Sequence, residues 1–68
     1  MPSFPDRLKE LRKSKGVTQK QMAEYLSLTE RGYQNYEIGV REPNHEITIK
    51  LADYFGVSVD HLLGRDNY

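Results

Sequence analysis

Apolar residues recur along this chain at helical spacing, in short runs set off by capping residues. Leu8 and Leu11 share a face, and Ser3, Pro5 and Asp6 ahead of them supply a capping hydroxyl, a first-turn proline and a first-turn acid. Three later segments share one layout, in which a hydroxyl residue follows one apolar residue and a second apolar residue comes four positions after the hydroxyl. They are Val17-Thr18 with Met22, Leu28-Thr29 with Tyr33, and Val57-Ser58 with Leu62. Each predicts an N-terminal cap flanked by a hydrophobic staple, and Gln21 can close a capping box on Thr18. Asn44, after Pro43, predicts one further cap, while Gly16 and Gly56 mark helix ends. The pattern predicts helices over residues 4–14, 19–26, 30–37, 45–55 and 59–63, with no strand.

The expected fold class is therefore all-α, with five helices in a single domain over residues 1–68. The expected core is Leu8, Leu11, Val17, Met22, Ala23, Leu26, Leu28, Tyr33, Ile47, Leu51, Ala52, Phe55, Val57, Leu62 and Leu63. Tyr25, Tyr36, Tyr54 and Tyr68 carry hydroxyls that want water or a partner, so edge or contact positions are expected for them.

Composition narrows the chemistry. There is no cysteine, which excludes disulfides and thiolate-bound metals. His45 and His61 are the only histidines, and they fall on different helices. No zinc spacing, phosphate-binding glycine loop or catalytic cluster appears, so no enzyme, cofactor or metal is expected. No apolar run approaches the ~20 residues of a membrane span, and the first residues do not resemble a signal peptide, so a soluble intracellular protein is expected. Net charge is zero, but residues 1–41 hold eight Lys/Arg against five Asp/Glu, and residues 42–68 hold two against five. A basic front and an acidic back suggest one face for a polyanion and another for a different partner.

The second and third helices carry the most information. Only Ser27-Leu28-Thr29 separates them, too tight a turn for antiparallel packing, so the two helices should cross steeply. Ala23 is small where they meet, and position 27 is one where such turns often use Gly. On the third helix Tyr33 and Glu37 face the body, while Glu30, Arg31, Gln34 and Asn35 face outward. Arg can grip guanine, Gln or Asn can grip adenine, and Glu can accept from cytosine. Periodicity alone fits a solvated polar face equally well. Gly32 within this helix costs about 1 kcal/mol against Ala, and the missing side chain could let the backbone approach a phosphate or a base.

The run from Thr18 to Thr29, the segment Tyr36-Glu37-Ile38-Gly39-Val40-Arg41-Glu42-Pro43 and the closing stretch from Leu51 to Leu63 resemble one known family. It is the helix-turn-helix family of lambda and 434 repressors, Cro and the xenobiotic-response-element (XRE) regulators. The resemblance covers about residues 5–64 and implies a compact five-helix lambda-repressor-like DNA-binding domain, its helix-turn-helix formed by helices two and three. It further implies a sequence-specific transcriptional regulator, a repressor by preference, binding a palindromic double-stranded DNA operator as a homodimer in a bacterial or phage-encoded, cytoplasmic setting. Glu30, Arg31, Gln34 and Asn35 fall on base-reading positions. Arg12, Thr18, Gln19, Lys20, Thr29 and Arg41 fall on phosphate-contacting or positioning ones, and Arg12 and Glu37 match an internal salt bridge. Tyr33 stands where an aliphatic residue is usual. Ile38 and Val40 stand where polar or basic residues are frequent, which leaves Arg41 and backbone N–H groups to meet phosphate there.

A dimer surface is expected on the back half, from Tyr54, Val59, His61, Leu62, Leu63 and Tyr68, although Leu62 and Leu63 would equally serve to finish the monomer core. The competing reading is a protein-interaction module or antitoxin with the same fold, favoured by zero net charge and by the apolar residues at 38 and 40. No membrane or small-molecule substrate is expected.

Overall fold

The computed structural model describes residues 3–64. Five helices follow one another: α1 Phe4–Lys15, α2 Gln19–Tyr25, α3 Glu30–Glu37, α4 His45–Phe55 and α5 Val59–Leu62. Their starts are set by side chains that accept from the otherwise unpaired first-turn N–H groups. Thr18 accepts from Gln21 N at 3.0 Å and the Gln21 side chain accepts from Thr18 N at 2.8 Å, a reciprocal capping box. Thr29, Asn44 and Ser58 cap α3, α4 and α5 by accepting from the N–H groups of Gly32, Ile47 and His61, without the reciprocal arm. Ser3 does not cap α1; its hydroxyl donates to Asp6 at 3.2 Å instead. Pro5 removes one of the N–H groups that such a cap would accept from, and the Asp6 carboxylate takes the hydroxyl.

The first, second and fourth helices end alike. Val17, Leu28 and Val57 donate N–H back to Arg12, Ala23 and Ala52, closing a left-handed residue in each end. Gly16 and Gly56 fill two of those positions, and Ser27, at φ 59°, fills the third. That one residue turns the chain from α2 into α3. Helix bounds differ from the expected ones by one residue at the ends of α1, α2 and α5.

α3 packs against both α1 and α2, while α4 and α5 pack against each other and against α1. Leu8, Met22, Tyr33, Leu51 and Leu62 are fully buried, and Ala23 on α2 is buried with them. Val17, Leu28 and Val57, the outer halves of the three staples, pack partly buried against this cluster. Two expectations change. Tyr36, expected at an edge, is only 9% exposed and sits edge-on to Tyr33 with ring centroids 6.4 Å apart. Leu62, a candidate for the dimer surface, is fully buried in the monomer core and is removed from that surface, because its side chain is already spent on the fold. Tyr68 lies outside the described residues.

Candidate nucleic-acid interface

α3 divides its residues by periodicity. Tyr33, Tyr36 and Glu37 point into the core; Glu30 and Arg31 are exposed; Gln34 and Asn35 are half-buried along the outer edge. Arg31, Gln34 and Asn35 therefore share one accessible face. Gly32 has a local reason to lack a side chain: a Cβ there would come within 3.1 Å of Thr29 Oγ1, the atom that caps the helix by accepting from Gly32 N at 3.0 Å. The glycine thus leaves room for the cap at the start of the helix.

Beneath this face lies a polar network centred on Glu37, whose side chain is 1% exposed. A carboxylate so deeply buried must be paired and fully hydrogen-bonded to persist as an anion. Three side chains meet that need with four hydrogen bonds. Arg12 donates Nε to Oε2 at 2.6 Å and Nη2 to Oε1 at 3.3 Å. Tyr33 donates its hydroxyl to Oε2 at 2.6 Å, and Gln19 donates Nε2 to Oε1 at 3.1 Å. Burial pushes the Glu37 carboxyl upward, but the hydrogen bonds from Arg12, Tyr33 and Gln19 together outweigh it and hold the group below the usual carboxylate range. The hydrogen bond to Glu37 raises Arg12 against a smaller opposing effect of burial. Burial, and then the hydrogen bond to the Glu37 carboxylate, push the Tyr33 phenol up.

The network reaches the outer face. A carboxylate only accepts, so the Gln19 amide must turn its NH2 toward Glu37 and its carbonyl away. That carbonyl accepts from Gln34 Nε2 at 3.1 Å. Gln34 keeps its own carbonyl and one N–H for an external partner. α1, α2 and α3 are thus tied through polar side chains, with a potential base-reading amide at the end of the chain.

The expected phosphate and positioning residues separate into two groups. Thr18, Lys20, Thr29 and Arg41 are exposed, and each capping threonine retains a hydroxyl hydrogen to donate. Arg12 and Gln19 are turned inward. Arg12 also donates to Val17 O at 3.0 Å and leaves 12% of its side chain exposed, so most of its guanidinium is engaged inside the fold.

The helix-turn-helix family profile matches residues 8–62. This chain belongs to the helix-turn-helix family. It is 48% identical over 60 residues to the SPbeta prophage-derived HTH-type transcriptional regulator YonR of Bacillus subtilis, covering 88% of this chain and 56% of that protein. It is 42% identical over 64 residues to the HTH-type regulator ImmR of the same organism, covering 94% and 50%. It is 38% identical over 60 residues to the CTXphi transcriptional repressor RstR of Vibrio cholerae, covering 88% and 54%. A transcriptional regulator from Listeria innocua superposes with a TM-score of 0.87 at 37% identity, covering 91% of this chain and 58% of that one. The chain spans about half the length of the curated relatives it matches. The fold is all-α and lambda-repressor-like, and the family is one of transcriptional regulators rather than enzymes.

Within this helix-turn-helix chain, the loop after α3 departs from expectation. The N–H groups of Val40 and Arg41 both turn inward onto Asn35 O, at 3.0 and 3.2 Å, and so are not offered to phosphate. Ile38 and Val40 are 62% and 69% exposed, leaving the Arg41 side chain as the cation of that loop. Among the described residues no group of three His, Cys, Asp or Glu is placed to hold a metal, and no helix is long and apolar enough to cross a membrane. His61 lies against Arg7, with Nε2 3.3 Å from Nη1, and His45 is exposed. The Tyr33 hydroxyl is the contributor that sequence reasoning missed. Its signal was available, since Tyr33 and Glu37 are four apart on one buried helix face and a buried carboxylate needs donors.

Proposed function

We propose that residues 1–68 form a DNA-binding module of a transcriptional repressor, reading the major groove of a palindromic double-stranded operator with α3 as a homodimer. The observation that carries this reading is the outward set of Arg31, Gln34 and Asn35, with Gln34 held in place from below by Gln19. Arg31 is assigned to guanine, Gln34 and Asn35 to adenine, and Glu30 to a cytosine amino group. Thr18, Lys20, Thr29 and Arg41 are assigned to the flanking phosphates, with Arg12 and Gln19 positioning them. The names of the relatives support regulation of transcription, and RstR is named a repressor. The setting that follows is the cytoplasm of a bacterium, with no cofactor or small-molecule substrate.

One such module buries only about 600–1,000 Å² on DNA, and two related by a two-fold axis would double that on half-sites about one helical turn apart. The second copy is assigned to Tyr54 on α4 and to Val59, His61 and Leu63 in and just after α5; all four are partly buried.

Selection of bound sites from random duplexes tests the reading. A symmetric motif is expected, with a log-log salt slope of about −7 if each protomer neutralises about four phosphates. Failure to shift any duplex at low salt overturns it in favour of a protein-interaction module.

A further inference from the structure

We propose that the buried Tyr33 hydroxyl is a positioning residue for base recognition, fixing the direction of the hydrogen-bond chain that orients Gln34. The inference rests on the DNA-reading function proposed above and names a determinant of its specificity.

The Arg12–Glu37 pair is not an even fork. One arm is 2.6 Å and the other 3.3 Å, whereas a free guanidinium–carboxylate pair settles with two similar arms. Two further donors account for the skew. Tyr33, fully buried, holds Oε2 at 2.6 Å, and Gln19 holds Oε1 at 3.1 Å. Tyr33 is thereby the group that keeps the carboxylate turned so that Oε1 remains available to Gln19. Every bond in the chain runs toward the carboxylate: Gln34 donates to Gln19, and Gln19 donates to Glu37. Without the phenol, the carboxylate can swing into an even fork with Arg12 and withdraw Oε1 from Gln19. The Gln19 amide then loses the acceptor that set its sense and can present either end to Gln34. Gln34 in turn loses the fixed order of donor and acceptor that paired recognition of adenine requires. Arg31 makes no bond in this chain, so its own recognition stays as it was.

The test is Tyr33→Phe in the 68-residue chain, which keeps the ring and removes only the hydroxyl. Far-UV circular dichroism establishes that the variant is folded. In the protein without DNA, the side-chain amide resonances of Gln19 and Gln34 are expected to lose hydrogen-exchange protection relative to the parent; unchanged protection overturns the relay. With DNA, the base pair assigned to Gln34 is the one at which Gln34→Ala relaxes preference. Tyr33→Phe is expected to reduce discrimination at that pair about threefold to tenfold while leaving the pair read by Arg31 unchanged. A uniform loss of affinity across all sites, or no change at that pair, overturns the positioning role. Should the parent bind no duplex, the DNA-reading function fails, and the amide measurement still decides the relay.

Discussion

Replacing Arg12 by Met removes the main partner of a carboxylate that the fold keeps dry. The Glu37 side chain is 1% exposed and Arg12 12% exposed, so water cannot readily replace the lost guanidinium. Breaking such a pair from one side costs about 3–5 kcal/mol, because an uncompensated charge stays behind. Glu37 keeps its hydrogen bonds from Tyr33 and Gln19, which places the expected cost near the lower end, about 3 kcal/mol. A domain of this size holds only roughly 3–5 kcal/mol in all, so Arg12→Met should stand at the edge of unfolding. The measurement is urea unfolding followed by circular dichroism, with both proteins in the same concentration of trimethylamine N-oxide to keep the variant folded at the start. Acid supplies a second handle. In the parent, the Glu37 carboxyl is held below its ordinary value of 4.5. Its contribution is therefore fully present above that value and lost as pH falls through the lower folded one. Without Arg12 the largest lowering influence is gone, and the folded carboxyl moves upward. The variant then gains relative stability as pH falls and the group neutralises, so the gap between the proteins should narrow between neutrality and about pH 4. A cost below about 1 kcal/mol at neutral pH, within the range of an exposed ion pair, would refute the reasoning. So would a gap that stays constant on acidification.

Other outcomes follow from single residues. Ser27→Gly should raise stability by about 0.5–1 kcal/mol in thermal melts, since Ser27 is held at φ 59° and glycine relieves that strain at some cost in chain entropy; a lower melting temperature would contradict it. Thr29→Ala removes the cap on α3 and should cost about 0.5–2 kcal/mol by urea unfolding, with no loss marking the cap as idle. Arg31→Ala should lose about 1–3 kcal/mol of discrimination at one base pair of the selected site; equal loss on every sequence would make Arg31 a phosphate contact instead.

Much of the architecture was legible because it is written locally. A cap needs one hydroxyl or amide next to a helix start, and Thr18, Thr29, Asn44 and Ser58 all act where their position predicts. Ser3 breaks the rule through its near neighbours Pro5 and Asp6, which compete for the same geometry. The outward face of α3 was legible for the same reason, since 3.6-residue periodicity alone separates Arg31 from Tyr33. What single-chain periodicity could not give is where a polar atom of a core residue ends. Tyr36 and Tyr33 both carry hydroxyls, both lie in the core, and only the second meets Glu37. That choice depends on how α1 brings Arg12 across to α3, a contact between residues 25 apart in sequence. The consequence bears on function. A buried carboxylate is tolerated here only because donors from three helices converge on it, and Gln34 is hydrogen-bonded to one of those donors. Under the DNA-reading function proposed above, stability and recognition share one set of hydrogen bonds, and a substitution in the network should alter both, in proportions set by which donor it removes.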